Sequence, residues 1–148
     1  MYVNIDNSKR PSDKDDEYNS VIKQIQQDGV CPFCTDQLLK YHKKPIITET
    51  NNWYLTENMY PYDGTKEHLL LISKTHIEHL TELSTEAWLE LQTLITSELK
   101  KRQIAGGTMF IRFGETKYTG ASVNHLHVQL ISRDLTYPED KPILTRIG

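Results

Sequence analysis

The sequence predicts an antiparallel sheet with one long helix packed on it, an α+β fold, and three stretches carry that prediction. From Gly120 to Ile131 the chain settles into a strict alternation: His125, His127 and Gln129 point one way, Leu126, Val128 and Leu130 the other. That is the two-residue repeat of a strand. After Ser84, residues Trp88, Leu91, Leu94, Ile95 and Leu99 fall on one helical stripe. His68–Ser73 is too apolar for an exposed strand and is expected at the centre of the sheet.

The other elements follow in order. Met1 to Lys14 is polar and rich in turn formers and reads as a loose arm, leaving residues 15–148 as a single domain. Tyr18, Val21, Ile22 and Ile25 have helical spacing between Asp15 and Asp28, and Gly29 can end that short helix. Ile46–Thr50 and Trp53–Glu57 form a hairpin around Asn51-Asn52, and Tyr60–Thr65 is a loop. Ser84 caps the long helix, Glu86 sits in its first turn, and Lys100, Lys101 and Arg102 close it before Gly106-Gly107. Met109–Phe113 is a further strand, the turn over Gly114–Gly120 leads back to the alternating one, and the tail from Ser132 is irregular.

Composition narrows the function classes. The 148 residues suit one domain, which buries roughly two-thirds of the surface its unfolded chain exposes. A net charge of −3 argues against bulk binding to nucleic acid or an anionic membrane, but leaves room for a basic pocket holding one nucleotide. No run reaches transmembrane length and Met1–Asp6 lacks a signal-peptide core, so a cytoplasmic protein is expected. There, two Cys serve as metal ligands or redox groups rather than as a structural disulfide.

Cys31-Pro32-Phe33-Cys34 therefore has two readings. As a glutaredoxin-like redox motif it needs a buried strand before it, and the polar, helical Gln24–Gly29 precedes it instead. It would also need a low-pKa Cys31. As half of a zinc shell it needs two further ligands. Elsewhere, His127 is a candidate nucleophile, because a neutral imidazole is abundant near pH 7. The N–H groups around Thr119, Gly120 and Ala121, the Ser122 hydroxyl and the Lys117 charge are candidates to cradle phosphate. Tyr60, Tyr62, Trp53 and Tyr54 either line a base pocket or belong to the core.

His125-Leu126-His127-Val128-Gln129 resembles the signature of the histidine-triad (HIT) superfamily, in the variant whose third His is Gln. That variant resembles diadenosine tetraphosphate phosphorylases and galactose-1-phosphate uridylyltransferases. The resemblance spans roughly Gly29–Arg133 and implies a HIT-like fold acting on a nucleotide or dinucleoside polyphosphate through a nucleotidyl-His127 intermediate. Transfer or phosphorolysis is the leading reaction. A HIT-type hydrolase of nucleotide conjugates, or a zinc-stabilised nucleotide-binding protein with little turnover, is the alternative. It further implies a structural Zn(2+) on Cys31, Cys34, His76 and His125 (with His79 a rival for His76), and a place for His68 near the scissile phosphate. Gln129 keeps a neutral donor for a phosphate oxygen but cannot shuttle a proton. Members commonly form homodimers, so a dimer is a possibility here. Two departures stand: Phe113–Thr119 holds no Asn such as many members have in that turn, and the chain is far shorter than the Gln-variant enzymes.

Overall fold

The computed structural model describes residues 1–8 and 15–148. Five strands form one antiparallel sheet in the order β1-β2-β3-β5-β4: β1 Ile46–Glu49, β2 Trp53–Glu57, β3 Thr65–Ser73, β4 Thr108–Arg112 and β5 His127–Arg133. With the helices α1 Asp15–Asp28, α2 Thr35–Tyr41, α3 Thr85–Lys101 and α4 Thr116–Thr119, the molecule has the expected α+β architecture. No helix among the described residues is long and apolar enough to cross a membrane.

The motif strand β5 lies inside the sheet, between β3 and β4. Its two faces have separate tasks. Val128 and Leu130 join Leu69, Leu71, Trp53 and Leu55 in the main core, which α3 covers with Leu91 and Leu94. On the other face, His127 stands opposite Ile72 on β3 and Arg112 on β4, and Gln129 opposite Leu70 and Phe110. Side chains of directly opposed residues share a face, so these residues are neighbours.

The long helix begins as predicted, with Ser84 Oγ accepting a hydrogen bond from the Ala87 N–H at 3.1 Å. Its buried face differs from the predicted stripe. Trp88 is 39% exposed, whereas Ala87 and Glu98 are buried beside Leu91 and Leu94. Trp53 explains the difference: wholly buried, it fills the core at that point and its indole N–H donates to the Ala87 carbonyl at 2.8 Å. Buried Glu98 is paired with Arg102 at 2.8 Å, and the same guanidinium reaches Glu67 on β3 at 2.7 Å.

Three further features add to the reading of the sequence. Of the expected loose arm, residues 9–14 lie outside the described residues, and within residues 1–8 Val3 and Ser8 are buried. Val3 bridges to Val123 and is buried with Ile22 and Ile25 of α1, while Asn124 N–H donates to the Tyr2 carbonyl at 2.8 Å. A polar segment becomes ordered here because its one valine has a pocket to fill. Thr35–Tyr41 forms a full helix directly after Cys34 and seats Leu38 on Leu70 and Ile72. The turn before the motif contains the single-turn α4, ended by Gly120 in the left-handed conformation at φ 68°.

Candidate active site and metal centre

His127 is set for attack by its backbone. Its Nδ1–H donates to the carbonyl of His125 at 2.7 Å, which fixes the tautomer and leaves the lone pair of Nε2 without a hydrogen-bond partner among the described residues. Burial pushes its pKa down to about 4, the nearby Arg112 charge adds to the effect, and the His125 carbonyl opposes it. The ring is therefore neutral near pH 7, in the form that can act as a nucleophile. Phe33 stands edge-on to it, with ring centroids 5.1 Å apart.

A hydrogen-bond chain orients Gln129. Tyr62 N–H donates to Nδ1 of His68 at 3.1 Å, so the proton of His68 is on Nε2. Nε2–H then donates to Oε1 of Gln129 at 2.7 Å. With its oxygen occupied, Gln129 has its amide NH₂ left to donate to an anion in the cleft that it lines together with His127. The strand-starting His68, 5% exposed, is thus a built-in part of the site and not a surface histidine. Asn58 lies beside the same ring and accepts from Tyr60 N–H at 2.8 Å, holding the loop between β2 and β3.

His127 and Gln129 open on a cleft of about 180 Å³. Gly120, Ala121 and Ser122 line it, as do Tyr60 and Tyr62; Trp53 belongs to the core instead, and Tyr54 packs against Leu70 and Ile72. Ser122 is joined by a hydrogen bond to the Tyr18 hydroxyl from α1. Lys117 and Thr119 are not brought to the cleft: Lys117 is exposed and paired with Glu115 at 2.6 Å, and the Thr119 hydroxyl accepts from Ala121 N–H at 3.2 Å. The sequence reading missed Arg112, Tyr18 and Asn7, which also line the cleft. Only the Arg112 placement had a signal in the sequence, its position two residues along the strand from Phe110, but the register that sets it opposite His127 is long-range.

Behind His127, Cys31, Cys34, His76 and His125 gather with their ligand atoms all within 4.8 Å of one another. Cys31 Sγ lies 3.3 Å from His125 Nδ1, Cys34 Sγ lies 3.4 Å from His76 Nδ1, and the two Nδ1 atoms are 3.1 Å apart. Tetrahedral zinc with thiolate and imidazole ligands spaces neighbouring donors by about 3.3–3.8 Å, close to these separations. The imidazoles are also turned correctly. Nε2–H of His125 donates to the Ser73 carbonyl at 2.6 Å and Nε2 of His76 meets Glu78 at 3.3 Å, so each Nδ1 offers its lone pair to the cluster. Two facing lone pairs at that distance repel unless a cation lies between them, and outer partners of this kind are the normal support of a metal ligand. His79 does not take part; its Nδ1 accepts from Thr81 N–H at 3.2 Å.

The redox reading of the Cys pair fails on the same geometry. Helix α1 precedes the motif, not a buried strand, and burial pushes the Cys31 thiol up to about 12, the reverse of a reactive thiolate.

Comparison with known proteins places this architecture. The chain matches no curated protein sequence. It resembles a HIT family hydrolase from Clostridium thermocellum, 21% identical over 75% of this chain and 96% of that one, with a TM-score of 0.58. It also resembles a zinc-bound histidine triad family protein from Mycobacterium smegmatis, 21% identical over 70% and 77% of the two chains, TM-score 0.51. A third structure is the Plasmodium falciparum diadenosine triphosphate hydrolase, 22% identical over 62% of each chain, TM-score 0.51. The model of the family described as "Scavenger mRNA decapping enzyme C-term binding" matches residues 31–143, which include the Cys pair, the sheet and the His-x-His-x-Gln strand. The chain belongs to this family, and with it to the histidine-triad superfamily.

Proposed function

We propose that this protein is a nucleotidyl-transferring enzyme that cleaves dinucleoside polyphosphates or related nucleotide conjugates at the α-phosphate. The observation that carries the reading is the pairing of an Nδ1-anchored, neutral His127 with an amide donor fixed by His68 in one cleft. Nε2 of His127 attacks the α-phosphorus; a P–N bond forms, the P–O bond to the bridging oxygen breaks, and the remaining phosphate chain leaves with that electron pair. Gln129 donates to a non-bridging oxygen as charge builds there. In the second step an acceptor oxygen displaces the imidazole.

Gln129 carries no proton to exchange with water. An acceptor that arrives ionised needs none removed, so phosphorolysis or transfer is favoured over hydrolysis. The similarity to a diadenosine triphosphate hydrolase supports the substrate class, and that enzyme and the HIT family hydrolase keep hydrolysis as the alternative. Zn(2+) is the ion that best fits two thiols and two imidazoles, and the zinc-bound neighbour agrees with it. With four protein ligands it would serve structure, holding His125 and through its carbonyl the orientation of His127.

Diadenosine tetraphosphate incubated with and without inorganic phosphate tests the reading. ADP and ATP formed only with phosphate would establish a phosphorylase, whereas AMP and ATP formed in water alone would make the enzyme a hydrolase. His127→Asn should abolish both while leaving nucleotide affinity nearly intact; turnover by that variant would end the proposal.

A further inference from the structure

We propose that Arg112 is the residue that selects a polyphosphate chain in this cleft, and that the C-terminal segment holds its guanidinium in the free protein and yields it to substrate. The inference rests on the nucleotide reading above and adds to it a specificity residue and the class of group it reads.

Arg112 ends β4 directly opposite His127, so its side chain rises on the same face as the nucleophile, and it lines the same cleft. Among the described residues, two other ionic side chains line that cleft, Asp63 and Arg146, so there the cationic side chains outnumber the acid. Among the described residues no carboxylate lies within ion-pair distance of Arg112. Its donors are spent on neutral oxygens: Nε–H on the Thr119 carbonyl at 3.0 Å, and Nη2 on the Thr145 hydroxyl at 2.8 Å and the Arg146 carbonyl at 2.6 Å. The group also lies over the Phe110 ring, 4.8 Å from its centroid, which fixes its plane.

A half-buried guanidinium without an anion is an unusual arrangement, since arginine forms its strongest bonds with paired anionic oxygens. Two of the present acceptors belong to the tail, and Pro142, Leu144, Thr145 and Arg146 form one wall of the cleft. The tail sits on Gly120, where an added Cβ would come within 2.9 Å of Arg146 Cγ. A phosphate entering beside His127 offers Arg112 charged oxygens in place of a hydroxyl and a carbonyl. The exchange favours the phosphate and loosens the tail wall. Each further phosphate adds charge within reach of the same fork, so a polyphosphate gains from Arg112 more than a monophosphate does.

The test compares AMP, ATP and inorganic tripolyphosphate binding by calorimetry in the intact chain, R112Q and R112K. Hydrogen exchange of residues 142–148 is followed in parallel, with and without ATP. The intact protein should bind ATP at least about tenfold more tightly than AMP, the size of one charge-assisted hydrogen bond. R112Q should lose that preference with AMP affinity little changed, and R112K should keep part of it. ATP, but not adenosine, should speed exchange in the tail. Retention of the ATP preference by R112Q would overturn the proposal. So would equal weakening of AMP and ATP in both R112Q and T145V, which would make Arg112 an anchor for the tail alone. The nucleotidyl-transfer reading fails separately: tripolyphosphate binding that depends on Arg112, without nucleotidyl-His127 ever forming, upholds this inference and removes that one.

Discussion

Replacing His68 by Phe tests whether the second layer of the site holds the first. Phe keeps most of the volume of the ring and removes both nitrogens. Tyr62 N–H loses the Nδ1 acceptor at 3.1 Å, the Gln129 carbonyl loses the Nε2–H donor at 2.7 Å, and the Asn58 amide loses the ring nitrogen 3.0 Å away. An orphaned buried polar group costs about 1–3 kcal/mol. Tyr62 is half-buried and can recover part of this from water, while Gln129 is 5% exposed and cannot. Together they destabilise the fold by roughly 2–4 kcal/mol, within the 5–15 kcal/mol that a typical domain has, so the variant still folds. The effect on chemistry should be larger than this loss suggests. Without His68 the amide of Gln129 can rotate, and in half of its orientations it presents a carbonyl to an anionic phosphate. Losing one preorganised donor lowers kcat by about 10²–10³ at the limit. We expect H68F to lose at least about tenfold in kcat, with KM changed less. Gln129→Ala should cost no less, and the double variant should cost little more than Gln129→Ala alone, because both act through one amide. Single-turnover formation of nucleotidyl-His127 and urea denaturation measure the two quantities separately. A kcat for H68F within twofold of the parent would refute the reasoning.

Two further predictions concern the metal and pH. The purified protein should carry one zinc per chain, and Cys34→Ser or His76→Ala should lose it; at free zinc 100-fold above Kd, linkage amounts to about 2.7 kcal/mol. In a 148-residue domain, chelation then lowers Tm by roughly 5–11 °C, and an unchanged melting curve after metal removal would count against a structural role. For pH, burial holds His127 at about 4 in the folded protein against an unfolded value near 6.5. Because the folded value is depressed, its contribution to stability is full above the unfolded pKa and is lost as pH falls from about 6.5 to about 4, reaching roughly 3 kcal/mol. Denaturation curves of the parent and H127N should therefore converge on acidification over that window, and parallel curves would show that His127 does not titrate there. Single-turnover rates should show no His127 inflection near pH 6.5.

Most of the elements, and the chemistry of the motif, were legible in the chain before folding. Alternation places His127 and Gln129 on one face because a strand repeats every two residues, although the strand begins only at His127 and leaves His125 before it; the α1 boundaries, the Asn51-Asn52 turn and the Ser84 cap are local properties of the chain. Cys31 and Cys34 were legible as possible metal ligands from their own spacing, but His76 and His125 only through the family resemblance, since the 94 positions between Cys31 and His125 carry no periodic signal. Tertiary structure decided what depends on distant partners. Trp53 is wholly buried and donates to the Ala87 carbonyl of the long helix, while Trp88 on that helix is left 39% exposed. Val3 orders the start of the chain because Val123 and α1 leave it a pocket. Arg112 faces His127, and Lys117 does not, because the β4–β5 register sets one opposite the nucleophile while α4 turns the other to solvent. Side-chain period is a local consequence of backbone geometry; which charge reaches a cleft is set by strand pairing between residues far apart in the chain.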